Sequence, residues 1–464
     1  MSQQTTKGKS ILVVLPGLST EWIIWCVERA IKLNRQGNGV TFLDLSEFNP
    51  IRYRRFIRKL IHRLKYRNCI HVMIKKILEN LEITYIKPQQ LRLRTSRVLT
   101  QNESSIFQSG LDAVYGQIIG QRIMLESDLP IETVNLEKKL FVAAIDEVLK
   151  AIRASDIDEV ITVNGRCLVD SAVVLTAEKF NKKVFRLEAG GGTSLNHEIY
   201  SSSPFDFDAT HKIILDAWNQ AGENRSEIAI ASLENKLTGY LGHDLYWGHS
   251  FKKEFILDSV VNPKIAVFFP TTDFEHPLLD PLASRRTYNG DQIKAFKYFY
   301  DAAIRHGYQV IVRAHPHPFD KTKELVEDRI WGDVCRESDI IFIPSESGID
   351  SKSLMKVSSL NAVYQSSIAV ESIYLSRPTI ILGRTEFDNL IPELCAFEPQ
   401  ALDRLFESGV PIIDRSRLYP WAYYRTMGGQ VPNFFSKSGD SFFFGLSEIE
   451  FNRLRPKRQY IRDS

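Results

Sequence analysis

The sequence predicts an α/β protein with two doubly wound domains, and three stretches support this. The chain opens with a strand–helix–strand unit: an apolar strand Ser10–Leu15, a helix from about 20 to 36, and a strand Val40–Leu45. A second apolar strand, Lys264–Phe269, begins a similar pattern in the second half. Residues 361–383 then form a complete strand–helix–strand unit.

Length and composition are those of a multidomain globular chain whose core can form without disulfides. The 464 residues are 44% hydrophobic and 25% charged, with a formal net charge of +3. Five scattered cysteines form no Cys-x-x-Cys or Cys/His cluster, which favours a reducing compartment. Residues 1–10 lack the apolar core of a signal peptide, and no apolar run approaches the ~20 residues of a membrane span. We therefore expect a cytoplasmic protein.

The strand starts divide the chain into a first domain, 1–260, and a second domain, 261–415. Residues from about 50 to 137 have mostly helical patterning, with a short strand indicated at Leu81–Ile86, so we interpret them as an insertion or helical elaboration of the first domain. The amphipathic helix predicted for Leu136–Ile152 returns the chain to the first sheet.

The rest of the first domain alternates between strand and helix. The apolar strand Asp158–Val163 leads into the turn Asn164-Gly165-Arg166. A helix from Asp170 to Phe180 precedes the strand Lys183–Leu187, which ends in Glu188-Ala189-Gly190. Because open α/β sheets bind ligands at the carboxyl ends of their strands, both turns are candidate binding loops.

The second domain continues with a helix predicted from Asp291 to His306 and the strand Gln309–Arg313. That strand runs into Ala314-His315-Pro316, where proline holds the histidine main chain extended. Another strand is predicted for Ile340–Ile343.

The unit at 361–383 carries the most informative loop of the sequence. A short strand ends at Tyr364, and Ser366 and Ser367 follow as candidate N-cap residues of a helix that Pro378 terminates. A capped helix start with two hydroxyls suits an anion such as phosphate. An ordinary capped helix is the alternative.

Five side chains at two strand ends suit a nucleotide phosphate. Arginine offers a planar fork to phosphate oxygens, and histidine can bind a phosphate or protonate a leaving oxygen. A carboxylate one helical turn after the serines can accept hydrogen bonds from ribose hydroxyls. These residues are Arg313, His315, Ser366, Ser367 and Glu371.

The segment Arg52–Lys76 contains ten Lys or Arg residues and no acidic residue, with apolar residues interleaved close to helical spacing. A basic amphipathic helix suits an anionic membrane surface or an anionic acceptor. A solvated helix packed through its apolar face is the alternative. No nucleic-acid recognition motif accompanies the charge.

The order R-x-H-P and then S-S-x-x-x-E-S resembles the nucleotide-sugar half of bacterial GT-B glycosyltransferases that build capsule and other surface polysaccharides. This group includes the Kdo transferases of capsule synthesis and, more distantly, bacterial sialyltransferases with His-Pro and paired-Ser motifs. The resemblance implies that the donor phosphate contacts Arg313, His315, Pro316, Ser366 and Ser367, and that Glu371 matches the acidic residue of the serine-pair helix.

The two turns of the first domain resemble the acceptor side of the same group. The resemblance makes Asn164, Gly165, Arg166 and Gly190 substrate-binding residues. The sialyltransferases have two acids before the glycine, whereas Ala189 replaces the second acid here. Glu188 is then the candidate general base, with a structural ion pair to Arg166 or Arg186 as the alternative.

The resemblance implies a GT-B-like fold of two facing Rossmann-like domains, with residues 416–464 crossing back to the first. The expected activity is sugar transfer from a nucleotide-activated donor to a glycan or glycolipid, with Glu188 and His315 as catalytic residues. A CMP-linked acidic sugar is the favoured donor, although a UDP sugar or CDP-linked polyol phosphate needs the same phosphate groups. We expect no cofactor and no obligatory metal, because the Asp206-x-Asp208 pair lies in a loop.

Two other functions stay open at this point. One is an enzyme acting on the nucleotide sugar itself, such as a UDP-sugar 2-epimerase-like protein, which needs no acceptor. The other is a non-catalytic component of a polysaccharide export complex.

Overall fold

The computed structural model describes residues 8–17, 20–48, 71–88, 97–119, 129–165, 167–192, 195–203, 206–238, 264–271, 287–315, 326–336, 339–438 and 441–444. These residues form two mainly parallel sheets with helices on both faces of each. A small antiparallel sheet of β12 Phe435–Ser438 and β13 Ser441–Phe444 follows them in the chain. The predicted class of two Rossmann-like domains is therefore confirmed.

The first sheet has the order β3-β2-β1-β4-β5-β6, and only the edge strand β6 is antiparallel. Its strands are β1 Ser10–Leu15, β2 Gly39–Asp44, β3 Thr84–Ile86, β4 Glu159–Val163, β5 Lys183–Ala189 and β6 His197–Tyr200. Its helices are α1 Thr20–Arg35, α2 Gln101–Ile119, α3 Ile131–Ala154 and α4 Leu168–Lys179, and residues 71–79 are also helical.

Two apolar layers cover this sheet because its strands are apolar on both faces. Helices α2, α3 and α4 pack on one face, and α1 packs with the helical residues 71–79 on the other. Strand β3 adds an edge to the sheet from within the stretch interpreted as a helical insertion.

The second sheet is entirely parallel and has the order β11-β10-β7-β8-β9. Its strands are β7 Ile265–Phe269, β8 Gln309–Arg313, β9 Ile341–Ile343, β10 Leu360–Val363 and β11 Thr379–Ile381. The helices that follow β7 are α7 Gln292–Arg305, α8 Val326–Arg336, α9 Ser351–Val357, α10 Ile368–Tyr374, α11 Pro399–Ser408 and α12 Tyr419–Met427.

Two helices that precede the second sheet in sequence share its core. Helices α5 Phe207–Asn219 and α6 Arg225–Thr238 pack against α12. Ile214 and Leu233 join the apolar cluster of β7 and Trp421. The predicted division placed these helices in the first domain, 1–260, whereas their buried side chains pack with the second sheet.

The chain beyond α12 contacts the first domain. Gln430 forms a bridge with His197 on β6, with N–O distances of 3.2 and 2.7 Å. The N–H groups of Asn433 and Phe434 donate to the carboxylate of Glu28 on α1, at 2.7 and 3.0 Å. Partly buried charge-assisted bonds of this kind hold the segment against helix α1 of the first domain.

Within the described residues, no helix is both long enough and apolar enough to span a membrane. Residues 52–70 of the predicted basic segment Arg52–Lys76 lie outside the described residues.

Candidate active site

Each sheet has a topological switch point, where a crevice opens between strands whose connections run in opposite directions. In the first sheet this point lies between β1 and β4, and in the second between β7 and β10. The loop after β4 begins Asn164-Gly165, and the loop after β10 contains Ser366 and Ser367. The chain order of the strands therefore places one candidate binding loop at each crevice.

The loop after β10, here called the serine loop, is a tight turn in which Ser366 and Ser367 make different contacts. Gln365 adopts a left-handed conformation (φ +53°), and a Cβ on Gly383 would lie 2.6 Å from its Cγ. Ser366 Oγ accepts a long bond from the N–H of Ile368 (3.4 Å), whereas Ser367 occupies the N-cap position without a side-chain capping bond. The Ser367 hydroxyl is thus not committed to the helix.

A lysine from outside the predicted domain reaches this loop. Lys236 on α6 places its Nζ 3.5 Å from Ser367 Oγ and 3.4 Å from Glu371 Oε1. The side chains of Lys236 and Glu371 are only 7% and 14% exposed. The structure therefore brings Ser366, Ser367 and Glu371 together and adds a buried cation to them.

Arg313 has a different environment. Its side chain is buried, and the guanidinium donates to the carbonyls of Ala314, Pro344 and Ile349 at 3.0, 2.8 and 3.2 Å. Burial lowers the pKa of Arg313 to about 10, although Asp328 and Asp350 oppose the shift. Arg313 thus ties together the loops after β8 and β9.

His315 follows β8 and is partly exposed, and Pro316 lies outside the described residues. Strand β7 lies between β8 and β10, so two strand spacings, about 10 Å, separate the ends that carry His315 and Ser366. A single ligand that contacts both side chains must bridge this separation.

The loop after β4 is shaped by a buried acid. Gly165 has a positive φ of +87°, and its N–H donates to Asp170 Oδ2 at 3.1 Å. Asn164 is buried beside it, whereas Arg166 lies outside the described residues. A Cβ at Gly165 would lie 3.0 Å from Arg186 Nε, so the turn leaves little space for a side chain.

Glu188 lies near the end of β5, directly opposite Glu198 on β6. Opposite residues of antiparallel strands project from the same face with Cβ atoms about 5 Å apart, so the two side chains start from neighbouring positions. Glu188 Oε1 accepts the N–H of Ala189 at 2.9 Å. Arg186 instead pairs with Glu178 at 3.1 Å.

The glycines after Glu188 pack against the backbone of the C-terminal segment. A Cβ on Gly191 would lie 1.6 Å from the carbonyl oxygen of Tyr424, and one on Gly190 would lie 2.7 Å from Gly429 Cα. The N–H of Gly192 donates to the carbonyl of Arg425 at 2.8 Å. The missing side chains thus allow close backbone packing at this point.

Glu198 is a titratable group that the sequence interpretation missed. Burial raises the pKa of Glu198 to about 7, although the Tyr424 hydroxyl and the Gly429 N–H both donate to it. Tyr200 lies near enough to Glu188, Glu198 and Glu386 for all three to raise its pKa, behind the larger effect of burial. The only sequence signal was the alternation in His-Glu-Ile-Tyr, which indicates a strand with the glutamate on one face.

We expect Glu198→Gln to flatten the pH dependence of stability. Because the folded pKa lies above the unfolded value, Glu198 favours folding below about pH 4.5, and this contribution is lost as the pH rises through about 7. The wild type should therefore lose about 2 kcal/mol between pH 5 and 8 through this group. Thermal unfolding over this range measures the slope, with the exposed Glu227→Gln as control. Equal slopes for wild type and Glu198→Gln would contradict the assignment.

The Asp-x-Asp pair serves a structural role. Asp206 Oδ1 accepts the N–H of Ala209 as the N-cap of α5. Asp208 pairs with Arg384 at 2.7 Å, and Arg384 pairs with the buried Asp388 at 2.6 Å. Among the described residues, no group of three or more His, Cys, Asp or Glu side chains is placed to hold a metal ion.

No family model and no curated protein matches the chain. Similar solved structures include the β-Kdo 2,4 transferase KpsC of Thermosulfurimonas dismutans, at 13% identity and a TM-score of 0.36, covering 57% of this chain and 79% of that one. The UDP-GlcNAc 2-epimerase of Methanocaldococcus jannaschii is 12% identical to this chain with a TM-score of 0.27, and the match covers 88% of this chain and 97% of that one. The calicheamicin glycosyltransferase CalG4 is 11% identical with a TM-score of 0.26, and the match covers 91% of this chain and 96% of that one.

Proposed function

We propose that this protein is a glycosyltransferase that moves a sugar from a nucleotide-activated donor to a glycan or glycolipid acceptor. One observation carries the proposal: hydroxyl, carboxylate and ammonium groups converge at the switch-point crevice between β7 and β10. A nucleotide phosphate and its ribose need this combination, because hydroxyls and a cation bind the phosphate while a carboxylate accepts from the ribose.

The donor site in this proposal belongs to the second domain. Ser366, Ser367 and Glu371 hold the nucleotide, and His315 reaches the phosphate bonded to the leaving sugar from the end of β8. As that sugar departs, negative charge grows on the phosphate, and donors placed around it lower the barrier. Arg313 positions the loops beside His315 through its carbonyl contacts.

The acceptor site in this proposal belongs to the first domain. The Asn164-Gly165-Arg166 loop and Gly190 bound it, and Glu188 removes the proton from the acceptor hydroxyl. The neighbouring Glu198, whose pKa is about 7, is the second carboxyl group able to exchange a proton near neutral pH.

Within this function, we propose a CMP-linked acidic sugar as the donor and capsule or surface polysaccharide as the product. The basis is the order of the His-Pro and paired-Ser motifs together with the acid before the first-domain glycines. The donor-site contacts alone suit CMP, UDP and CDP derivatives equally.

A nucleotide-sugar 2-epimerase is the second candidate, since the same donor contacts would serve it. The opposite strand positions of Glu188 and Glu198 favour this candidate in one respect, because epimerisation needs proton transfer at a sugar carbon. The requirement for an acceptor separates the two enzymes. A non-catalytic component of an export complex would turn over no donor at all.

Calorimetric titration of the purified protein with CMP, UDP and CDP tests the donor site and its base preference. Incubating the matching labelled nucleotide sugar with and without oligosaccharide or lipid acceptors then tests the reaction. A transferase forms glycosylated product only when acceptor is present. Epimerised donor formed without acceptor would replace the proposal, and a failure to bind any of the three nucleotides would overturn it.

We further propose that Arg52–Lys76 binds an anionic membrane surface and brings the enzyme to a lipid-linked acceptor. Changing Arg54, Arg55, Arg58 and Lys59 to glutamate should weaken binding to anionic vesicles while preserving nucleotide affinity. Each basic residue near such a surface contributes about 1 kcal/mol. Vesicle sedimentation at low salt measures this.

The control for this experiment reverses four exposed lysines elsewhere: Lys139, Lys150, Lys179 and Lys297. Wild-type protein that ignores anionic vesicles at low salt would disprove the membrane proposal.

A further inference from the structure

We propose that His71, held by Asp44, forms a subsite for a hydroxyl group of the acceptor sugar in the first domain. The inference rests on the proposed transferase function and names a residue that recognises the acceptor. The subsite lies at the first sheet and involves neither the donor residues of the second domain nor the proposed base Glu188.

Asp44, the last residue of β2, carries a buried carboxylate that accepts four hydrogen bonds from described residues. His71 Nδ1 and the Tyr85 hydroxyl lie 2.6 and 2.7 Å from Oδ2. The hydroxyl and the N–H of Ser46 donate to Oδ1 at 2.6 and 3.1 Å. Burial by itself raises the pKa of Asp44, but these bonds outweigh it and hold the pKa below its ordinary value. Asp44 is therefore ionised at neutral pH.

This carboxylate fixes how the imidazole of His71 is used. An ionised carboxylate only accepts hydrogen bonds, so Nδ1 of His71 carries a hydrogen and donates to Asp44. The His71 side chain is 6% exposed, and its buried Nε2 has no hydrogen-bond partner in the described part of the chain. A buried polar atom without a partner costs about as much free energy as a lost hydrogen bond. A ligand that bonds to Nε2 recovers this energy.

The imidazole lies at the edge of the first sheet where its crevice opens. Asp44 pairs in register with Leu15, the last residue of β1, and β1 borders the switch point. The helical residues 71–79 pack with α1 on the face to which Phe42, and therefore Asp44, projects. Open α/β sheets bind ligands at the carboxyl ends of the strands around the switch point. His71 thus lies at the edge that the proposed acceptor site occupies.

A hydroxyl group is the ligand that Nε2 suits best. When Nδ1 carries the hydrogen, a neutral imidazole accepts at Nε2, whereas an imidazolium donates there. A sugar hydroxyl both donates and accepts, so it can bond to Nε2 in either state. A phosphate or carboxylate ligand requires the imidazolium, and the negative charge of the neighbouring Asp44 repels it. The chemistry of the pair therefore favours an uncharged sugar hydroxyl.

His71 and Glu188 are placed to contact different hydroxyl groups. Three strand spacings, about 14 Å, separate the ends of β2 and β5. Asp44 projects from the α1 face of the sheet, whereas Glu188 follows Leu187 of that face and projects from the other. His71 therefore binds a hydroxyl other than the one that reacts. We expect it to affect recognition of the acceptor and not the chemical step.

Steady-state transfer kinetics of the full chain, with acceptor concentration varied, test the subsite. His71→Asn keeps an amide N–H that can donate to Asp44 and removes Nε2. We expect it to raise the acceptor KM about two- to tenfold, the usual effect of losing one hydrogen bond, and to leave kcat and the donor KM unchanged. His306→Asn, the same substitution at an exposed histidine of the second domain, is the matched control and should behave like wild type.

Nitrogen-15 NMR of histidine-labelled protein gives a second measurement that does not depend on turnover. The ring signals of His71, assigned by their loss in His71→Asn, should show a protonated Nδ1. They should shift when a saccharide acceptor is added, but not with CMP, UDP or CDP alone. If no acceptor supports transfer, lactose and chitobiose serve as the saccharide probes.

Circular dichroism establishes whether His71→Asn is folded, and the NMR titration of wild type decides the question if it is not. Folded His71→Asn with a wild-type acceptor KM, or His71 signals that no saccharide shifts, would overturn the subsite while leaving the transferase in place. Wild type that turns over no donor with any acceptor would instead overturn the proposed function, and the NMR titration would still decide whether His71 binds a saccharide.

Discussion

Replacing Glu188 with glutamine is expected to slow sugar transfer by about 10²–10⁴-fold while nucleotide affinity stays unchanged. Glutamine keeps the shape of the side chain and its carbonyl acceptor for the Ala189 N–H, but it cannot remove a proton. The proposed donor residues follow strands of the other sheet, so the substitution leaves them unaltered. The measurement is initial rate of product formation from labelled donor, with nucleotide affinity determined in parallel.

Glu132→Gln, at an exposed glutamate of the same domain, is the matched control and should turn over like wild type. Near wild-type turnover by Glu188→Gln would move the base elsewhere, first to Glu198, which lies opposite on β6. His197 is less suited, because it is buried and burial lowers its pKa to about 4. The substitutions at Glu188 and Glu198 together therefore identify the proton acceptor.

Removing the Ser367 hydroxyl or the His315 imidazole is expected to weaken nucleotide binding by roughly 1.5–3 kcal/mol, the usual value of a hydrogen bond to a charged group. Ser367→Ala and His315→Ala remove separate contacts at the ends of β10 and β8. Calorimetry with the preferred nucleotide measures each loss. The double variant shows whether the two contacts act independently.

Ser408→Ala and His306→Ala are controls of the same residue types, at exposed positions of the second domain. They should bind nucleotide with wild-type affinity. Unchanged nucleotide affinity in both Ser367→Ala and His315→Ala would show that the phosphate does not bind at these strand ends. Loss in Ser367→Ala alone would confine the nucleotide to the switch-point loop and exclude His315 from phosphate contact.

The strands were predictable because their signal is local. β1 was predicted as Ser10–Leu15 and is found there, since an apolar run covered on both faces needs no knowledge of its partners. Helix α1 and strand β7 were recognised from the same kind of signal. Strand β6 was missed, because a four-residue edge strand is defined by its pairing with β5.

The two α/β domains and the polar loops at their strand ends were predictable from the residues, because apolar periodicity and turn residues act within a few positions along the chain. The contacts that those polar groups make depend on the tertiary structure. It directed Arg313 to main-chain carbonyls and brought Lys236 to Ser367 across 131 positions. It also raised the pKa of Glu198 by burying the side chain. Partners and burial come from packing between distant segments, which local sequence patterns do not encode.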